Sequence, residues 1–143
     1  MSDESWSEER GDRALSRAQS AARKQSAESE RAGALIRDFA AAAAQAGITP
    51  ERLTARAYTG GARYKTQVAG WYLKRDRSVA VGTDGLFYVL NVPPSFLSRF
   101  TGTTVSPADA PLELGKGARD GESLPLSQAL ANRLGAGNDW TAA

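Results

Sequence analysis

The hydrophobic pattern changes period twice along the chain. Leu35, Phe39, Ala42, Ala43 and Ala46 recur at i, i+4, i+7, i+8 and i+11, one face of a helix over residues 34–46. Gly47 supplies a left-handed stop. Thr49-Pro50-Glu51 has an N-cap residue and a proline at the first helical position, so the pattern predicts a short second helix ending near Ala57, before Gly60-Gly61. From Tyr64 the chain turns to β formers, with three predicted strands over 64–75, 78–83 and 86–92. Asp84-Gly85 lies between two apolar runs and predicts a two-residue hairpin turn. A three-residue loop from Asp76 to Ser78 sets Leu73 against Val81. It gathers Trp71, Leu73, Val79, Val81, Tyr88 and Leu90 on one face under the Leu35/Phe39 helix.

After Pro93-Pro94, Phe96, Leu97 and Phe100 form a small apolar patch on one turn. Leu112-Glu113-Leu114 reads as a short strand. Leu126, Leu130 and Leu134 mark a C-terminal helix stopped by Gly135. The first 31 residues differ from the rest. After Met1 their only large apolar side chains are Trp6 and Leu15, too few to offset the entropy of packing them. Their alanines, glutamates and arginines still favour helix. The reading is an α+β protein: a polar helical or disordered arm over 1–31, one domain over 32–135 and a tail over 136–143. The domain holds a packed helix, an antiparallel β-meander of three or more strands and a short C-terminal helix.

Composition narrows the chemistry. The 143 residues contain no histidine and no cysteine. That excludes Ser-His-Asp and Cys-His nucleophile systems, the usual nitrogen–sulfur zinc sites and disulfides. Carboxylates, lysines, hydroxyls and backbone amides remain, and no arrangement of them names a reaction. The sequence therefore predicts no catalytic residues, no metal site and no cofactor. No apolar run approaches the roughly 20 residues that span a bilayer, and the acidic start is unlike a secretory signal, so a cytoplasmic protein without a membrane role is expected.

Net charge is only +2, but its distribution is uneven. Between residues 52 and 77, Arg52, Arg56, Arg63, Lys65, Lys74, Arg75 and Arg77 face Asp76 alone, while both ends of the chain are mildly acidic. A basic centre interleaved with Tyr58, Tyr64, Trp71 and Tyr72 suits phosphates and bases. The bland alternative is that these cations pair with the protein's own acids, with Trp71 in the core and Lys74, Arg75 and Arg77 at a polar hairpin tip. Arg52, Arg56, Arg63 and Lys65 are the candidate nucleic-acid contacts.

Gly115-Lys116-Gly117-Ala118-Arg119-Asp120-Gly121 is the other site-like stretch. Its backbone amides, with Lys116 and Arg119, form a candidate anion contact, although the spacing is not that of a phosphate-binding loop. A flexible surface connection is the simpler reading of it. Asp120 and Glu122 are solvated turn formers on the bland reading and a magnesium or calcium pair on the sharp one. Asp76 and Asp84 are explained as turn residues. Trp6 and Trp140 sit in polar terminal segments, each either docked on its own domain or an anchor for a partner.

The block Gly70-Trp71-Tyr72-Leu73-Lys74-Arg75-Asp76, then Val81-Gly82-Thr83-Asp84-Gly85, Phe87-Tyr88-Val89-Leu90 and the 115–123 loop, resembles a family of small actinobacterial proteins with no assigned activity. The resemblance covers roughly residues 34–134. It implies a cytoplasmic bacterial protein and carries over no site residues. The sequence thus favours a non-catalytic interaction or accessory protein with a protein partner. The alternative is a nucleic-acid- or ribosome-associated protein using residues 52–77. A small enzyme without His or Cys chemistry stands third.

Overall fold

The computed structural model describes residues 3–115 and 123–140, with side chains from Ser7 onward. The expected arm and packed helix are one element, α1 (Asp3–Gln45), about 65 Å long at the helical rise. Every side chain from Ser7 to Glu28 is exposed. Burial begins at Ala32 and continues through Ile36, Phe39, Ala40 and Ala43. The packed stripe is therefore turned slightly from the expected one. Ile36 fills the place expected of Leu35, which is half-buried, and Ala46 is exposed. At the C-terminus Gly47 takes φ +72°, its N–H donating to the Ala44 carbonyl and that of Ile48 to Ala43. This paired closure turns Ile48 back into the core.

The expected second helix is a strand. Residues Glu51–Ala57 form β1, with Leu53, Ala55 and Ala57 buried and Arg52 and Arg56 exposed. The alternation has period two, and the alanines that suggested helix have a packing role. Strand β1 pairs antiparallel with β2 (Arg63–Tyr72), which pairs with β3 (Val79–Gly82), which pairs with β4 (Phe87–Val89). A further short strand, β5 (Asn91–Val92), runs parallel to β1. The sheet order is β4-β3-β2-β1-β5. Its two edges, β4 and β5, are separated in the chain by Leu90 alone. The Leu90 N–H donates to Ser78 beside β3, and its carbonyl accepts from Arg56 on β1. The sheet thus curls round on itself into a small barrel.

Inside lie Leu53, Ala55, Tyr64, Val68, Tyr72, Ala80, Tyr88 and Leu90. Large faces small across the strands: Tyr64 opposes Ala55, while Tyr72 and Tyr88 both oppose Ala80. Each tyrosine hydroxyl finds a partner near the rim. Tyr64 accepts from the Ser95 N–H, Tyr72 from the Thr54 N–H, and Tyr88 donates to Asp84 at 2.6 Å. Gly70 faces Gly82, and a Cβ at Gly70 would lie 2.0 Å from the Val81 carbonyl oxygen. Glycine lets β2 and β3 pinch together there.

The other side of the sheet carries Trp71, Leu73, Val81 and Phe87 against α1 and the C-terminal helix α3 (Leu126–Ala136). Trp71, Leu73, Val79 and Val81 share this side as expected, but both hairpins correct the expected registers. The 84–85 turn is a three-residue loop closed by the Gly82–Leu86 pair, with Gly85 alone at positive φ, +77°. That one-residue difference sends Phe87 toward α1 and Tyr88 and Leu90 into the barrel. A three-residue loop needs one left-handed residue rather than two, and it brings the Tyr88 hydroxyl to Asp84. The β2–β3 loop spans five residues, since Leu73 N–H donates to Val79. Asp76 accepts from the N–H and Oγ of Ser78, and Arg77 adopts φ +60°.

The apolar turn after Pro94 is α2 (Ser98–Thr101). Strands β6 (Glu113–Leu114) and β7 (Leu124–Pro125) form a separate two-stranded pair leading into α3. Helix α3 runs through Gly135 and stops at Gly137 (φ +58°), with Arg133 buried and Leu134 half-buried. Asn138 then docks the turn after α3 onto the end of α1. Its side-chain oxygen accepts from Thr49 N–H and its amide donates to the Gly47 carbonyl.

Two outcomes follow for stability. Deleting residues 1–27 removes only exposed side chains from the described part of the arm, so the thermal midpoint of the remainder should stay within a few degrees, about 0.5 kcal/mol. A larger drop would mean that the arm packs on the domain. Burial, then the bond to Asp84 and its charge, push the Tyr88 phenol up to about 12. The fold favours the neutral phenol, so this contribution is intact below the unfolded value near 10 and is lost as pH rises through 12. Tyr88→Phe should cost about 1 kcal/mol at neutral pH and remove that alkaline loss, read by chemical denaturation across the pH range.

Candidate functional site

The outward side of the β1–β2 pair is built by alternation. With Leu53, Ala55, Tyr64 and Thr66 turned into the barrel, Arg52, Thr54 and Arg56 on β1 and Arg63, Lys65 and Gln67 on β2 must face out. The register sets Arg56 directly opposite Arg63 and Thr54 opposite Lys65. Four of the sequence-predicted contacts are therefore on one surface.

Arg63 is the most constrained of them. Its Nε donates to Thr54 Oγ1 at 2.9 Å and Nη2 to the Thr54 carbonyl at 3.0 Å. Burial lowers its pKa most, and Arg77 and Arg56 lower it further, while Tyr72 acts the other way. It stays a cation, held among cations. Arg77 adds a half-buried guanidinium whose Nε has no hydrogen-bond partner. Arg52 donates to the Thr66 carbonyl at 3.1 Å, and Lys65 is exposed.

Beside Lys65 the chain returns along the free side of β2. Thr103 N–H donates to the Lys65 carbonyl, and Gln67 makes two bonds to the backbone of Val105, at 2.6 and 3.0 Å. Gly102 passes so close that a Cβ would lie 2.6 Å from the Lys65 oxygen. Between this segment and the strand pair is a groove of about 520 Å³. Arg52, Arg63, Lys65, Arg99, Phe100 and the threonines Thr101, Thr103 and Thr104 line it.

Among the described residues the ion pairs are Glu9–Arg13 and Lys74–Asp76. None involves Arg52, Arg56, Arg63 or Lys65. Asp109, Glu113 and Asp139 of the C-terminal third form no ion pair with these four. Among the described acids, none neutralises this surface through an ion pair.

The other candidates lie elsewhere. Lys116, Arg119, Asp120 and Glu122 fall outside the described residues, as does the side chain of Trp6. Trp140 is half-buried on its own domain, its ring 5.1 Å from the Arg133 guanidinium carbon and 5.7 Å from that of Arg75. Arg133 donates to the Gly137 carbonyl at 2.7 Å. Burial lowers its pKa, partly opposed by Glu51. Two groove residues escaped the sequence reading. The sequence places Phe100 in an apolar patch and does not single out Arg99, although a cation inside Phe-Leu-Ser-Arg-Phe signals that this turn is not core. Among the described residues no three carboxylates gather to hold a metal, and no helix is long and apolar enough to cross a membrane.

Comparison with protein-family models, curated proteins and solved structures finds no match to this chain. The site therefore rests on its own geometry.

Like charges directly opposite on neighbouring strands destabilise by about 0.2–1 kcal/mol. Arg56→Thr removes one of the pair and adds a good strand residue. It should raise the thermal midpoint at low ionic strength, and the gain should shrink as salt is added. Destabilisation at low salt would show that Arg56 has an attractive role in the free protein.

Proposed function

We propose that this protein is a non-catalytic binding module whose basic strand pair takes nucleic acid. The observation that carries this reading is Arg56 set opposite Arg63, with neither in an ion pair among the described residues. In the isolated fold the two facing charges repel, whatever Arg63 gains from its bonds to Thr54. The arrangement becomes favourable when phosphates lie across the strands and neutralise both cations. Arg52, Lys65 and Arg99 extend the same field along the groove. The surrounding threonines offer hydroxyls to phosphate or sugar oxygens, the contacts that position a nucleic acid without reading its sequence. Trp140, the described candidate anchor for the protein-docking role expected first from the sequence, is engaged by Arg75 and Arg133.

Binding should be weak and steeply salt-dependent. Contacts from Arg52, Arg56, Arg63 and Lys65 give a log–log salt slope of about −3.6 on duplex DNA and about −2.8 on a single strand. Arg56→Ala with Lys65→Ala should make the slope shallower by about 2, read by anisotropy of a labelled oligonucleotide over a salt series. Absence of binding at low salt, or a slope unmoved by the double variant, would return the protein to the class of protein-docking modules.

A further inference from the structure

Phe96, Leu97 and Phe100 are 73%, 70% and 78% exposed, the most exposed of the large apolar side chains among the described residues. All three are exposed, and helix α2, which carries Phe100, buries no residue. The turn is nevertheless firmly placed. Ser95 N–H donates to the buried Tyr64 hydroxyl, Thr101 Oγ1 to the Leu97 carbonyl, and Thr103 N–H to Lys65. Polar bonds fix the backbone while the rings stand in water. Phe96 and Phe100 meet edge to face, with centroids 5.7 Å apart. Phe100 also lines the groove beside Arg52, Arg63, Lys65 and Arg99.

Resting on the nucleic-acid reading above, we infer that Phe96 and Phe100 form a base-stacking platform that makes the groove selective for single-stranded nucleic acid. An exposed ring offers a face to any unpaired base, whereas the bases of a duplex are already stacked on each other. A base on Phe100 leaves its phosphate within reach of the cations on the neighbouring strands. On β2, Arg63 and Lys65 stand two residues apart, roughly 6.6 Å at the strand rise, and on β1 Arg52 and Arg56 stand four apart with Thr54 between them. Charge drawn out along a strand pair beside the ring suits an extended polyanion. An anchor for an anionic membrane would instead gather its cations in a collar around the apolar tip.

The test uses the full chain, with a labelled thymidine oligonucleotide, the same sequence as a duplex, and phosphatidylserine vesicles. The intact protein should prefer the single strand. Phe96→Ala with Phe100→Ala should weaken single-strand binding by about tenfold or more and leave duplex binding and the salt slope unchanged, because base–aromatic stacking does not release counterions. Phe100→Trp in the native background should retain the single-strand preference. Both phenylalanines are exposed, so the variants keep the fold, checked by an unchanged melting curve. Equal affinity for single strand and duplex, or no effect of the double alanine variant, would overturn the stacking platform and leave the nucleic-acid reading standing. Vesicle binding that depends on the two rings, with single-strand binding indifferent to them, would assign the rings to a lipid surface and overturn the inference. Failure to bind either oligonucleotide would overturn the underlying reading itself.

Discussion

The Trp71 indole is the joint between helix and barrel. Its N–H donates to the Ile48 carbonyl at 3.0 Å, and the Phe39 ring meets it edge-on at 5.8 Å. Ile48 is the residue whose own N–H closes the end of α1. One residue thus ends the helix and receives the sheet. Trp71 sits opposite Val81 at the centre of the outer face, so this joint also sets which side of every strand looks toward α1. Tyr72, its neighbour, must then enter the barrel, where its hydroxyl meets Thr54. Thr54 in turn holds Arg63. A chain of contacts runs from the helix end to the basic surface with few intermediates.

That dependence explains why the basic surface is on β1 and β2. The β3–β4 side of the sheet is covered by α1 and α3, and the interior is filled by tyrosines and small residues. The outward positions of the first hairpin are left to polar side chains, and the chain places five of its basic residues on or beside them. The separation of a packed scaffold from an electrostatically costly face is the usual division between stability and binding.

Much of the scaffold is legible in the sequence. The helix stop at Gly47, the left-handed Gly85, the shared face of Trp71, Leu73 and Val81, and the α+β class follow from local rules. What failed did so for one physical reason: the barrel's interior was not visible. Ala55 and Ala57 look like helix formers until tyrosines from the neighbouring strands need the space beside them. Tyr88 looks like a partner for Trp71 until Asp84 gives its hydroxyl a destination. Arg133 replaces a leucine in the packed stripe because the Gly137 carbonyl and the Trp140 ring receive it. For the site, the sequence identified Arg52, Arg56, Arg63 and Lys65 by charge density. The opposition of Arg56 and Arg63 depends on pairing, and the neighbourhood of Phe100 depends on a return path more than thirty residues later. Local patterns carry neither.

The join through Leu90 has an implication for how any partner can be met. A sheet with open flanks invites a guest strand, and many proteins recruit peptides that way or aggregate by it. Here the flanks are occupied by the chain itself. On the free side of β2, the Lys65 and Ala69 carbonyls accept from Thr103 and Thr83. On β1, the Thr54 N–H is taken by Tyr72 and the Leu53 carbonyl by Thr66. At these positions the backbone hydrogen-bonding capacity that would zip a visitor into the sheet is already committed. Recognition on this side of the barrel therefore falls to side chains, and its selectivity is set by their charge and shape.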